Sequence, residues 1–367
     1  MQRLFRLIFI FIPFLLKAND GSFYVNGNHL IPMNETRISI KKEILNIKLI
    51  DDHFFIEVNY EFYNPDNLRI LEIGFEAESP EGDVNREIPD NKRHPYIFNF
   101  TVSVNDTDTK YNTTIVNRDD YYKNGIYKKM DLKNINYEDD PDFYHRYVYH
   151  FKAKFRKGIN TLRHTYQIIA STSVIDKYSL MYVLTTAMRW ANKQIDDFTL
   201  NIDLGNSQTT LIQNSFFNSV SEWTFKGNGT AYDTCHYFQS DEYLNKCEFN
   251  ILSGALYFHA LNFKTKGELN LSIPHSTYYN KFSQNHNFDY STNWLPLDMN
   301  LDSFSSADSI SLKILKNWPY ARRGYIFKSQ TLQSYFEKMP WYVRDPEYKA
   351  ELSNLSAEEK KWLKSLK

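Results

Sequence analysis

The stretch HFFIEVNYEFYNP, His53 to Pro65, decides the fold. Phe54, Ile56, Val58, Tyr60 and Phe62 alternate with Glu57, Asn59 and Glu61 until Asn64-Pro65 ends the run. A period of two is that of a strand with one buried and one wet face. Just upstream, Leu45, Ile47 and Leu49 alternate within EILNIKLI, and Asp51-Asp52 separates the two runs, so a hairpin is expected. Working outward, the same alternation recurs at Tyr96 to Val104, Tyr147 to Phe155, Leu162 to Ile168, Phe198 to Leu204 and Leu269 to Ile273. That spacing predicts a mainly β protein of antiparallel, sandwich-like sheets. A transmembrane barrel also alternates, but such a chain commonly finishes in a strand. Here LSAEEKKWLKSLK places Ser356 three residues before Glu359, then repeats Trp362, Leu363 and Leu366 at helical spacing. This is a capping box opening a short amphipathic helix, so a small α-helical C-terminal domain is expected.

The N-terminus sets Arg3 and Arg6 before an apolar run from Leu7 to Leu16, with Ala18 following. The run is about half of the ~20 residues a bilayer span needs, and it reads as a signal peptide over residues 1–18. The chain is therefore expected to be exported, to the periplasm or beyond, with no membrane span in its mature form. The mature chain divides into a β-rich first part at 19–205, a β-rich second part at 206–300, and a helical domain at 308–367. The irregular stretch from Lys281 to Ser309 reads as the connection to that last domain.

A net charge of −1, with hydrophobic residues at 42%, gives folded cores and no basic excess for nucleic acid. Cys235 and Cys247 are the two cysteines, and in an oxidising compartment a disulfide closing this short loop is expected, contributing roughly 3 kcal/mol. A zinc site using His236 and His259 is the rival, without a paired Cys-x-x-Cys. The acidic cluster Glu138, Asp139, Asp140 and Asp142 lacks the ordered spacing of a calcium loop and reads as a solvated loop. No cofactor or metal is called for.

Catalytic signatures are absent: there is no G-x-S-x-G elbow and no H-E-x-x-H. His164 falls in phase with Leu162, Tyr166 and Ile168 and reads as a hydrogen-bonded residue of a buried face; His150 reads as solvated. No catalytic residue is assigned. A carboxylate pair assembled by the fold stays open as the alternative, a secreted hydrolase of envelope glycan or peptide.

The segment NWPYARRGYIF, then LQSYFEKMPWY and LSAEEKKWL, resembles the YARHG domain, a small module of exported bacterial proteins. Its core here is Tyr320, Ala321, Arg322, Arg323 and Gly324, with Arg323 where the family has histidine. The β-rich body, from NGNHLIPMNETRISIKKEILNIKLI through FRKGINTLRHTYQI, resembles the exported β-sandwich family DUF4424. In the C-terminal module the candidate binding residues are Tyr320, Arg322, Arg323, Tyr325, Trp341 and Tyr342. Arginine forks grip carboxylate or phosphate, and aromatic rings stack on sugar or peptide planes. The bland reading puts those rings in the module's core and has Gly324 permit a tight turn. A third possibility is that the module docks on the protein's own β body. The expected function is an envelope binding or interaction protein whose partner is a cell-wall polymer or an envelope protein.

Overall fold

The computed structural model describes residues 23–24, 29–32, 37–82, 84, 87–117, 122–123, 126–127, 145–236, 245–275, 287–297 and 305–366. The expected signal peptide and the acidic cluster at Glu138 to Asp142 lie outside the described residues.

The strands that build the body are, in chain order, β1 (His29–Pro32), β2 (Ser39–Ile50), β3 (His53–Asn64), β4 (Arg69–Glu78) and β5 (Ile97–Val104). Then follow β6 (Asn112–Asn117), β7 (His145–Phe155), β8 (Gly158–Ile169), β9 (Asp176–Tyr182) and β10 (Ile195–Asp203). The last are β11 (Gln208–Gln213), β12 (Trp223–Tyr232), β13 (Lys246–Phe263) and β14 (Leu269–Pro274). The expected hairpin is β2–β3, turned at Asp51, whose φ of 55° is left-handed.

Four strands form one sheet in the order β1-β4-β7-β6. An eleven-stranded sheet runs β9-β14-β11-β13-β10-β2-β3-β8-β5, then Thr107–Asp108, with β12 paired to β13. Its sheet is mixed, not purely antiparallel: β10 pairs parallel with β2, Ile195 opposite Ile40 and Asp203 opposite Lys48. One hydrophobic cluster extends from Ile38 to Ile273 through both sheets. The two layers meet at Phe75 of β4, whose ring lies 4.9 Å from both Phe100 of β5 and Tyr166 of β8. Among the described residues, no helix is long and apolar enough to cross a membrane.

The C-terminal module holds three helices, α1 (Ser309–Ala321), α2 (Gln330–Phe336) and α3 (Ala357–Ser365). The Ser356–Glu359 capping box forms as its spacing predicts. The supposed connection at 281–309 is instead partly module: Phe288 and Leu295 are buried with Trp318, Phe336 and Trp341 in a second core. The indoles hold that strap by its carbonyls, Trp318 Nε1 donating to Pro296 O at 2.8 Å and Trp341 Nε1 to Leu295 O at 2.7 Å. From the same strap Trp294 packs on Leu211 beside Ile175 and Cys235, so the module does touch the β body.

Gly324 ends the α1 turn at φ 81°, where a Cβ would stand 2.6 Å from the Val343 carbonyl oxygen. Gly324→Ala is expected to destabilise the module by about 2 kcal/mol or more, from the left-handed backbone plus the clash. Thermal melting checks this, and an unshifted module transition would contradict it.

Candidate functional site

The arginine pair is committed inside the module. Arg323 grips Glu359 with its fork, Nη1 to Oε1 at 2.8 Å and Nη2 to Oε2 at 2.7 Å, while Nη1 also donates to Pro319 O at 2.7 Å. Arg322 Nη1 stands 3.6 Å from the same carboxylate. Glu359 belongs to the first turn of α3, so the pair ties the end of α1 to the start of α3. Two oxygens held by two parallel N–H groups is a guanidinium geometry that an imidazole cannot reproduce, which gives Arg323 its structural use. Burial pushes the Glu359 carboxyl upward, but the Arg323 hydrogen bonds, the Ser356 N–H and both arginine charges outweigh it and hold the group below its usual range. Trp341 and Tyr342 are buried in the module's core, the Tyr342 hydroxyl donating to Tyr325 O at 2.7 Å. Tyr320 and Tyr325 are half-buried against that core.

The two cysteines are not joined. Cys247 is on β13 opposite Ile212 and belongs to the main core, its Sγ 3.8 Å from the Asp233 carbonyl; burial pushes the thiol up to about 11. Cys235 packs instead with Leu211 in a separate cluster. Leu211 and Ile212 are successive residues of one strand and point to opposite faces, so the sheet lies between the sulfur sites. The zinc alternative fails as well: His236 Nδ1 meets Glu248 at 2.9 Å, His259 Nε2 meets Asp197 at 2.9 Å, and among the described residues no group of three metal ligands assembles. His150 is not solvated but pairs with Glu72 at 2.7 Å. His164 is on the buried face as expected, yet neither ring nitrogen is hydrogen-bonded; the rings of Tyr60, Phe75, Phe100 and Tyr166 surround it. Burial, then the Arg163 charge, pushes it down to about 3, so it stays neutral.

An open cleft of about 290 Å³ lies elsewhere, on the β body, where the Pro89–Tyr96 segment approaches β5 and Tyr111. Its shape starts from a local irregularity. Thr165 of β8 pairs with Thr101, but Gln167 pairs with Phe98, so β5 carries an extra residue across this interval. Asn99 takes a φ of 51° at that bulge. A bulge reverses the alternation locally, and Phe98 and Asn99 both turn outward while Ile97 and Phe100 turn in. The opposite wall is held by His94: its N–H donates to the Tyr149 hydroxyl at 2.8 Å, Nε2 contacts Glu78 O at 3.0 Å, and Nδ1 accepts from Tyr96 N at 3.1 Å. With Nε2 as donor, both imidazole nitrogens are spent. Burial pushes His94 down to about 3 despite the Glu78 hydrogen bond, so it holds the wall as a neutral ring and has no lone pair left to act as a base. Asn91 shapes the turn, its Oδ1 accepting from Arg93 N at 2.9 Å.

Across the floor, Phe100 lies 4.9 Å edge-on from Tyr111 and 5.0 Å from Tyr149, whose hydroxyl burial pushes up to about 12. The Arg93 guanidinium stands over the Tyr111 ring at 5.7 Å. Among the described residues no aspartate or glutamate lines the cleft. Sequence reasoning missed this site because NKRHPYIFNF reads as a loop entering a regular strand; the Asn99 bulge that opens it depends on pairing with a strand more than sixty residues away.

Residues 293–367 match the YARHG domain. A comparison with curated proteins finds no match. Among solved structures the chain is similar to a protein of Legionella pneumophila described as a proposed nutrient-binding protein, with 20% identity, a TM-score of 0.49, and coverage of 94% of this chain and 98% of that one. The segment whose Tyr320-Ala321-Arg322-Arg323-Gly324 core closes on Glu359 is thus a C-terminal YARHG domain, joined to a β-rich body that bears the cleft.

Proposed function

We propose that the protein is an exported, non-catalytic binding protein of the cell envelope, and that its ligand enters the cleft of the β body. The observation that carries this reading is an open site whose described lining has aromatic rings and one arginine, without a carboxylate and with its histidine fully hydrogen-bonded. Such a lining orients and holds a ligand but offers no general acid or base. The hydrolase alternative requires two neighbouring carboxylates in a cleft. Among the described residues the two buried carboxyls with displaced ionisation, Glu43 and Glu359, lie in separate cores, one in the β body and one in the module. The arginine–cationic segment at residues 1–18 supports export. In this reading the YARHG domain contributes no described residue to the cleft, and its arginines keep it folded.

Phe98 is exposed and touches little of the core, and Arg93 is exposed too, so both can be truncated without unfolding the body. The purified chain is expected to co-sediment with cell-wall polymer. Phe98→Ala and Arg93→Ala are each expected to weaken retention about tenfold or more while leaving the melting temperature in place. Undiminished retention by both folded variants would remove the cleft from the account.

A further inference from the structure

We infer that the cleft recognises a carboxylated sugar ring, a hexuronic acid met either as a free molecule or as the end unit of a polymer; this rests on the binding reading above and adds the ligand's class. Charge is the first argument. Arg37, Arg69, Arg146, Arg163, Arg323 and Arg344 each meet a carboxylate. Among the described residues Arg93, Arg156 and Arg189 meet none; of these Arg93 lines the cleft, standing over the Tyr111 ring, and no described acidic side chain lines the cleft around it. The Arg93 guanidinium, over the Tyr111 ring, has no hydrogen-bond or carboxylate partner among the described residues, so its fork remains unspent in the cleft. The complement of that fork is a carboxylate.

Shape and polarity narrow the rest of the molecule. Phe98, turned outward by the bulge, and the floor rings Phe100 and Tyr111 present apolar surfaces of the kind that the C–H face of a pyranose covers. Two amides stand among these rings with half their capacity in use. Asn91 has committed Oδ1 to Arg93 N, leaving the Nδ2 donor; Asn99 has committed Nδ2 to Gln167, leaving the Oδ1 acceptor. One open donor and one open acceptor beside aromatic faces match ring hydroxyls, which an aromatic carboxylate does not carry. At about 290 Å³ the cleft is at the small end of ligand sites, suited to one ring, and its open mouth lets a further unit project into solvent.

Calorimetric titration of the full chain with galacturonate, glucuronate, galactose, glucose, benzoate and a hexuronic acid oligomer tests the assignment. A hexuronic acid is expected to bind at least tenfold more tightly than the matching neutral hexose and than benzoate. Arg93→Gln is expected to abolish the preference over the neutral sugar. An oligomer binding at least tenfold more tightly than the monomer identifies a polymer end as the source; equal affinity identifies the free sugar acid. Equal binding of the neutral hexose, or preference for benzoate, overturns the sugar-acid assignment while the cleft remains a binding site. Wall polymer retained with no small probe bound overturns the ligand class alone. Binding of neither polymer nor probe overturns both readings.

Discussion

Glu359→Ala is expected to destabilise the C-terminal module and lower its melting transition while leaving the transition of the β body in place. The Glu359 side chain is 6% exposed and is held by the Arg323 fork, by Arg322 and by the Ser356 N–H. Removing it strands two arginines that are only 21% and 28% exposed, besides deleting half of the α3 capping box. Breaking a buried pair costs about 3–5 kcal/mol, and partial access of solvent to the arginines places this case near 3 kcal/mol. A small module has about 5 kcal/mol in hand, so most of its margin disappears. Acid should act in the same direction. Because the folded carboxyl ionises below its ordinary value of 4.5, the stability it confers is present above that value and is lost as pH falls through the folded one. Two-transition calorimetry checks both effects, and an unshifted module transition in Glu359→Ala would contradict the first.

Glu43→Gln is expected to produce the opposite sign in the opposite half of the molecule. Glu43 sits on β2 opposite Tyr60, only 4% exposed, on the face that carries Leu45 and Ile47 into the core. Burial, partly offset by a hydrogen bond from Tyr60, pushes its carboxyl from the ordinary 4.5 to about 8. The fold therefore holds a proton that the unfolded chain releases. Stability is greatest below pH 4.5 and declines as pH rises toward 8. Across the interval up to neutrality the decline is on the order of 3 kcal/mol. Glutamine keeps the shape without the titration, so the variant should flatten the pH dependence of the body between about pH 5 and 8 and melt higher than wild type at pH 8. Parallel profiles for the two proteins would remove Glu43 as the cause. Acid thus threatens the module through Glu359 and alkali the body through Glu43.

Much of the fold was legible where the information is local. The alternation of Phe54 to Phe62 marks β3, Asp51-Asp52 the turn before it, Ser356 and Glu359 the start of α3, and Gly324 the end of the α1 turn. What escaped depends on which distant segments meet. Nothing in IDDFTLNID or SIKKEILNIKLI states that β10 and β2 run parallel. Glu43 was in phase with Leu45 and Ile47, a signal for a buried carboxyl that was available but unread. The alternation of Phe98 with Phe100 and Val102 pointed all three inward, until pairing with β8 imposed the bulge that exposes Phe98 and makes the cleft. Likewise, Arg322 and Arg323 show two unspent cations in the sequence, and only the approach of α3 gives them Glu359.

The most direct test of the cleft as the ligand site is a crystal structure of the full chain with the wall fragment or sugar acid that it retains. The account predicts the ligand between Arg93 and Phe98, its carboxylate on the guanidinium edge and a ring against Phe98 or Tyr111. A ligand seated at the Arg322–Arg323 edge of the YARHG domain, with the cleft empty, would contradict it.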